Sequence, residues 1–313
     1  MEKYCFGIDI GGTTIKCGLF RTNGELLEKW EIPTRTEEKG KNILPDAARA
    51  ILDKCQEKGI SGEEVAGVGV GVPGPVNEKG EVPCAVNLYW DYMDVAGDMQ
   101  KYTGMKAKAG NDANVAALGE AWKGAAEGSR NVILVTLGTG VGGGIIVDGK
   151  IVTGAHGAGG EIGHANVRPE EEEHCNCGNQ GCLEQVASAT GIVRLAQRWL
   201  DANKETDTAL RTGTVSAKSI FDAYKNGDGA AEMIVDQFAD YLGRALGIFA
   251  CVVDPEVIVI GGGVSKAGQV LVDVVQSYYR KYAFPTCKDT PLVLAELGND
   301  AGIYGAARMT LEK

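Results

Sequence analysis

Histidine is scarce in this chain. There are three in 313 residues, His156, His164 and His174, so the side chain most often used as a general base has few places to stand. Cations are short too: 31 Lys and Arg against 42 Asp and Glu leave a formal charge of −11. That balance argues against nonspecific nucleic-acid binding, which needs cationic side chains to displace counterions, and against a polybasic membrane surface. It leaves room for an anionic substrate such as ATP, because Mg²⁺ and main-chain N–H groups supply positive charge locally. No apolar run approaches the length that spans a bilayer. The start, Met1-Glu2-Lys3-Tyr4-Cys5-Phe6-Gly7, enters a strand-like segment without the apolar core of a secretory leader. Also lacking are a Walker A run with its Lys-Ser/Thr ending and a G-x-G-x-x-G opening a βαβ unit, which disfavours dinucleotide binding.

What is present points to a packed α/β protein. Hydrophobic residues make up 44% and charged residues 23%, so a core is expected and wholesale disorder is not. The length suits two domains. Nine cysteines form an odd set. Cys5, Cys17, Cys55, Cys84, Cys251 and Cys287 are scattered singly and read as reduced core residues, which makes the cytoplasm the expected compartment.

Strand-like runs lie at Phe6–Ile10, Ile15–Phe20, Leu26–Ile32, Val65–Val72 and Lys106–Gly110, with helical patterns over about 41–58 and 113–122. The pattern then restarts, with strands at Val132–Leu137, Gly144–Val147 and Lys150–Val152. Helices are expected at about 190–202, 217–225, 230–252, 266–282 and 301–309, with further strands at Val257–Ile260 and Leu292–Leu297. A meander followed by alternating strands and helices fits mixed sheets covered by helices.

Gly7–Phe20 is an apolar strand, a Gly/Thr turn and a second apolar strand, and Leu134–Val147 repeats that plan. Two such hairpins, each opening one half of the chain, suggest two like domains facing a cleft. Hairpin closure needs only a two-residue bend. The surplus Gly and Thr in Gly11-Gly12-Thr13-Thr14 and Gly138-Thr139-Gly140 are explained if N–H groups and hydroxyls hold phosphate oxygens. Asp9, just before the first turn, would then hold Mg²⁺ through water. Gly261-Gly262-Gly263 ends an apolar strand just before a helix, where adenine or ribose could lie on bare backbone; tight strand-to-helix packing would need the same residues.

Asn111-Asp112 opens a helix, and both residue types are good N-caps. A carboxylate at a strand end is also placed to accept the proton of a sugar hydroxyl attacking a γ-phosphoryl group.

The densest motif is Gly160-Glu161-Ile162-Gly163-His164, ten residues, then Cys175-Asn176-Cys177-Gly178-Asn179-Gln180-Gly181-Cys182-Leu183-Glu184. Three thiolates and an imidazole within twenty positions suit a closed tetrahedral zinc site, with no position left for water. Cys175-x-Cys177 is not the redox spacing. His164 ties two loop arms together; His174, beside Cys175, is an alternative ligand that spacing admits. Such a zinc would do no chemistry itself. It would fix where Glu161, His164 and Glu184 point. The acidic run Glu170–Glu173 reads most simply as a solvated loop.

Taken together, Asp9–Thr14, Val72-Pro73-Gly74-Pro75-Val76, Asn111-Asp112-Ala113-Asn114, Leu137–Gly144, Gly160–His164, Cys175–Glu184 and Gly261–Gly263 resemble the ROK family of bacterial sugar kinases and repressors, most closely its glucokinases. The resemblance implies an actin-like ATPase (ribonuclease H-like) fold: two lobes, each a mixed sheet flanked by helices, with a ligand cleft between them. We place the small lobe at residues 1–112 plus about 300–313, and the large lobe, with zinc loop 160–184, at 113–299. It also implies zinc on His164, Cys175, Cys177 and Cys182, Asp112 as base, and sugar hydroxyls on Asn87, Asn111, Asp112, Glu161, His164 and Glu184. Around Asn87 the chain departs from the family, with Tyr89 where a Pro-Gly turn is common.

The implied activity is transfer from Mg-ATP to a hexose, glucose first. N-acetylmannosamine, N-acetylglucosamine, fructose and allose are rival acceptors, and polyphosphate is a rival donor. A sugar-sensing protein without turnover is the rival class. Family repressors carry a helix-turn-helix domain ahead of the first phosphate turn. Here that turn begins at Asp9, so no nucleic-acid partner is expected. A homodimer or homotetramer is.

Overall fold

The computed structural model describes residues 2–312. In chain order the elements are β1 (Tyr4–Ile10), β2 (Thr14–Arg21), β3 (Leu26–Pro33), α1 (Glu37–Gly40), α2 (Ile43–Lys58), β4 (Val65–Val72), β5 (Glu81–Val82), β6 (Met93–Asp94), α3 (Val95–Thr103), β7 (Ala107–Asn111) and α4 (Asp112–Lys123). There follow β8 (Val132–Leu137), β9 (Val141–Val147), β10 (Lys150–Ile151), α5 (Glu184–Ala187), α6 (Ala189–Ala202), α7 (Ala217–Lys225), α8 (Gly229–Val253), β11 (Val257–Gly261), α9 (Gln269–Tyr282), β12 (Leu292–Leu294) and α10 (Ala301–Met309).

Packing divides the chain into two compact units. One is Met1–Arg130 with Gly144–Gly160 and Glu296–Lys313; the other is Asn131–Gly143 with Glu161–Ala295. Residues 113–130, expected in the C-terminal lobe, group with the first unit. The reason is that α4 lies directly on α10: a Cβ on Gly119 would meet the Ala301 carbonyl oxygen at 2.2 Å. Glu120, fully buried on the same helix, accepts from the main-chain N–H groups of Ala125 (2.8 Å), Glu296 (3.2 Å) and Leu297 (2.9 Å). That carboxylate ties the returning chain to α4.

The two sheets share one plan. The first runs β3-β2-β1-β4-β7 and the second β10-β9-β8-β11-β12. In each, a strand that opens the half is flanked on one side by its meander and on the other by two parallel strands. The duplication read in the two hairpins therefore extends to whole sheets. β4 is buried along its full length. Phe6, Ile8, Val68 and Val70 form one core with Ile43 and Ile51 of α2. Cys5, Phe20 and Ile303 form a second, against which Trp122 and Tyr304 pack. In the second unit α8 contributes Ile234, Phe238, Leu242 and Leu246, and Phe238 meets Phe221 of α7 edge-on at 6.0 Å.

Several expectations shift. Helix α3 and the β5–β6 ribbon went unread. The short α3 is nevertheless signalled by Asp94, which accepts from Gly97 N–H at 2.9 Å, and by Gly104 at its end with φ 73°. α9 begins at Gln269 because a 3₁₀ turn occupies Gly263–Ala267. The last strand stops at Leu294. Of the six scattered cysteines, Cys5, Cys17, Cys55 and Cys287 are buried, but Cys84 and Cys251 are exposed. Cys251 falls on the outward face of α8, beside Val252, which is 82% exposed. Among the described residues no helix is long and apolar enough to cross a membrane.

Candidate functional site

In the first unit, three parallel strands bring their carboxyl ends together. Asp9 pairs in register with Gly71, and Val72 with Asn111. Ligand-binding residues in open α/β sheets gather at such ends. The β1–β2 turn is drawn tight by Gly11 N–H to the Thr14 carbonyl (2.9 Å) and by the Thr34 hydroxyl, which donates to the Gly11 carbonyl (2.7 Å). Burial pushes the Asp9 carboxyl above the usual carboxylate range, and Lys16 opposes this only in part. A bound cation would bring it down again.

Asn111 caps α4. Its Oδ1 accepts from Ala113 N–H (3.0 Å) and Asn114 N–H (3.1 Å), while its Nδ2 donates to the Gly74 carbonyl (3.1 Å). The capping reading thus belongs to Asn111. Asp112 is left as the first helical residue, exposed, with Oδ1 accepting from Ala113 N–H at 2.8 Å. The Gly74 backbone in turn meets the 84–90 segment: a Cβ there would lie 2.9 Å from the Cys84 carbonyl oxygen. Asn87 is exposed, with its carbonyl oxygen 3.9 Å from where a Gly12 Cβ would stand. Asp9, the first turn, Asn87, Asn111 and Asp112 are therefore linked within one unit. Tyr89 adopts φ 59°, a left-handed conformation that is costly for an aromatic residue. It is held there by buried neighbours Leu88 and Trp90.

In the second unit His164, Cys175, Cys177 and Cys182 each bring a ligand atom within 4.8 Å of the others. Tetrahedral zinc, with Zn–S about 2.3 Å and Zn–N about 2.1 Å, would separate two sulfurs by about 3.8 Å and a sulfur from a nitrogen by about 3.6 Å. Cys177 Sγ and Cys182 Sγ are 3.7 Å apart, and Cys175 Sγ and His164 Nδ1 are 3.7 Å apart. The donor set fits the metal. His174 is outside it: the ring is exposed, with Nδ1 3.2 Å from the Gly178 carbonyl oxygen. With Nδ1 turned to the cluster, His164 Nε2 faces Glu161 Oε2 at 3.8 Å, and Glu184 Oε1 accepts from Cys175 Sγ at 2.9 Å.

The start of α6, which follows the loop through α5, is stapled to the second Gly/Thr turn. Ala189 N–H donates to the Gly138 carbonyl (2.8 Å) and the Thr190 hydroxyl to the Thr139 carbonyl (2.7 Å). Gly262, at the end of β11, backs onto Leu137: a Cβ would meet its backbone at 2.6 Å. Gly138–Gly140, Gly261–Gly263 and the cysteine loop thus form one connected assembly within this unit.

The acidic run at 170–173 is not simply solvated. Glu171 is 5% exposed and takes a two-pronged bond from Arg198 of α6, 2.7 Å on each oxygen. This pushes its carboxyl down to about 2. Glu173 adds a second carboxylate to Arg198 at 2.9 Å. The loop is anchored because two arginines one helical turn apart, Arg194 and Arg198, face it. That spacing was the available signal. Also unread were Glu120 and Asn114. Asn114 is 3% exposed and donates through Nδ2 to the Gly159 carbonyl at 3.0 Å.

Two sheets of like topology, each with a Gly/Thr turn at the end of its first strand, define an actin-like ATPase fold. The chain belongs to the ROK family, whose sequence signature matches residues 5–313. It is 43% identical over 309 residues to a glucokinase of Halalkalibacterium halodurans, covering 97% of this chain and 94% of that one. It is 37% identical over 313 residues to a glucokinase of Thermotoga maritima, covering 98% and 97%. The structure of a ROK family glucokinase from Streptomyces griseus in complex with glucose and AMPPNP superposes with a TM-score of 0.75 at 33% identity, covering 98% of each chain.

Proposed function

We propose that this chain is an ATP-dependent hexokinase that converts glucose to glucose 6-phosphate. The observation that carries the reading is its end-to-end likeness to glucokinases, 43% identical across 97% of the chain. Motif residues of the chemistry are all in place: Asp9, Asp112, both Gly/Thr turns and the Cys/His loop.

In this reading Asp112 accepts the proton of the sugar 6-hydroxyl as its oxygen bonds to the γ-phosphorus. The bond from γ-phosphorus to the β,γ-bridging oxygen breaks, and ADP leaves. Such transfers are driven by positioning and charge stabilisation. Asn87, Asn111, Glu161, His164 and Glu184 hold the other hydroxyls. Gly11–Thr14 and Gly138–Gly140 cradle the phosphates through N–H and hydroxyl groups, and Gly261–Gly263 takes the adenosine. Asp9 would hold, through water, the Mg²⁺ that accompanies ATP, and that ion would supply positive charge to the phosphates. His164, Cys175, Cys177 and Cys182 would hold zinc, which would supply rigidity alone and so orient Glu161, His164 Nε2 and Glu184. Asp112's exposure at a strand end and the convergence of the four ligand atoms support these assignments.

The reading places the enzyme in the cytoplasm, where its nine cysteines, none of them in a disulfide, stay reduced. It makes the enzyme a homodimer or homotetramer. Exposed Ile248 and Val252, one turn apart on α8, support self-association. A coupled assay over a hexose panel, with ATP and polyphosphate compared, tests the function. Glucose with ATP is expected to give the highest kcat/KM. A preference for an N-acetylhexosamine, or for polyphosphate, would reassign acceptor or donor. Sugar binding without ADP release would make the protein a sensor instead.

A further inference from the structure

The first unit holds a cavity of about 1190 Å³ that the catalytic roles leave unused. One wall is α4, through Asn114, Leu118 and Trp122. Asn114 and Leu118 lie one turn apart, and Trp122, one turn further, reaches this space as well as packing against Phe20 and Tyr304. The second wall is β7, the last strand of its sheet, whose outer edge offers main-chain N–H and C=O groups. Of the sugar-binding candidates only Asn111, the cap of α4, reaches this space.

The cavity reverses the sign of the chain. In a protein of net charge −11 it gathers six cations, Lys79, Lys108, Lys123, Arg130, Lys150 and Arg308, against four carboxylates. Two of the six sit beside acids: Lys123 with Glu127 at 2.7 Å and Arg130 with Asp148 at 3.6 Å. Lys108 donates to the Glu312 main-chain carbonyl at 2.9 Å. Among the described residues Lys79, Lys150 and Arg308 form no ion pair. Lys108, Lys150 and Arg308 line this space together with Glu312, whose Oε1 is buried there without a hydrogen-bond partner. Further along, Asn114 Oδ1 is buried and accepts no hydrogen bond. A buried acceptor left unpaired is costly unless a ligand or water donates to it.

We propose that this cavity is a second ligand site, for a phosphate monoester that also carries hydroxyl groups. Arg308, Lys150 and Lys108 take the phosphate. A hydroxyl donates to Asn114 Oδ1, and the indole of Trp122 and the Leu118 side chain cover the carbon skeleton. Arginine suits such a role through its forked donors. The ligand would rest on the helix whose first residue is Asp112.

Isothermal titration of the whole protein with glucitol 6-phosphate, and separately with inorganic phosphate, tests this. Saturable binding of the polyol phosphate is expected, tighter than that of phosphate. The Lys150→Ala/Arg308→Ala variant is expected to weaken it at least about tenfold, as loss of charge-assisted bonds should. Glu161→Gln, at the sugar-binding candidates of the other unit, is expected to leave it unchanged, which separates this site from product binding at the catalytic residues. Lys150→Glu, a charge reversal at an exposed hairpin position, serves if the double variant folds poorly. Three results would each overturn the proposal: no saturation up to about 10 mM, equal affinity in the cavity variants, or loss of binding in Glu161→Gln alone.

Discussion

Glu184 Oε2 lies 2.5 Å from the point where a Cβ on Gly140 would stand. A sugar-binding candidate and the second phosphate turn are thus in van der Waals contact, and the bareness of Gly140 is what permits it. Gly140→Ala is expected to push the carboxylate aside and raise KM for glucose by about tenfold or more, since small displacements at a reacting site are costly. Gly138→Ala has open space, with its nearest neighbour at 4.0 Å, and should be milder. Steady-state kinetics of the pair checks this; equal effects would mean that the contact is not what matters.

Asp112→Asn should bind glucose as wild type does and lose about 10²–10⁴-fold in kcat, the usual contribution of a general base. Calorimetry for binding and ADP release for turnover separate the two. Near-normal turnover would remove Asp112 from that role.

Asp9 is held above the ordinary carboxylate range by burial. An acid whose folded pKa is raised lends stability below its unfolded pKa and loses it as pH rises through the folded value. At neutral pH its charge therefore opposes folding. Asp9→Asn is expected to raise Tm of the ligand-free protein while cutting turnover by about 100-fold or more, a trade common at functional sites. Thermal melts beside kinetics decide it; a lower Tm would contradict the burial argument.

Glu171 shows the opposite sign. Its folded pKa, about 2, lies below its ordinary 4.5. Its contribution is complete above about 4.5 and fades as pH falls toward 2. Glu171→Gln should cost about 3 kcal/mol at pH 7, because it removes one partner of a buried ion pair. It should also flatten the loss of stability across that acid window. Urea melts at several pH values measure both.

Cys182→Ser, or prolonged chelation, should leave zinc-free protein by elemental analysis and raise KM for glucose by about tenfold or more. KM for ATP should change less. Far-UV circular dichroism should persist, since the sheets pack without the loop. Zinc-free enzyme with wild-type kinetics would reject the loop's orienting role.

Much of this was legible in order along the chain. Strand and helix periodicity located the elements that bear Asp9, Asp112 and the glycine turns, but not α5, which carries Glu184, or the 3₁₀ turns at Val86–Leu88 and Ile162–His164 that carry Asn87 and His164. α3 was missed because nine residues between a two-residue ribbon strand and Gly104 give a weak period. The metal loop was legible because its ligands are close in sequence, but the choice between His164 and His174 was not. It depends on which imidazole the turn at Ile162–His164 swings toward the sulfurs.

The sequence by itself determined the α/β pattern, the repeated hairpin, the cysteine loop and the acids available for chemistry, because these are set by residue type and local spacing. Only the tertiary structure decided that Asn111 is the cap and Asp112 the exposed carboxylate, that Glu171 is buried on Arg198, and that six cations share one cavity. Those facts rest on contacts between residues up to about two hundred positions apart, such as Lys108 and Glu312. Burial and partner choice there follow from packing, and no local pattern carries them.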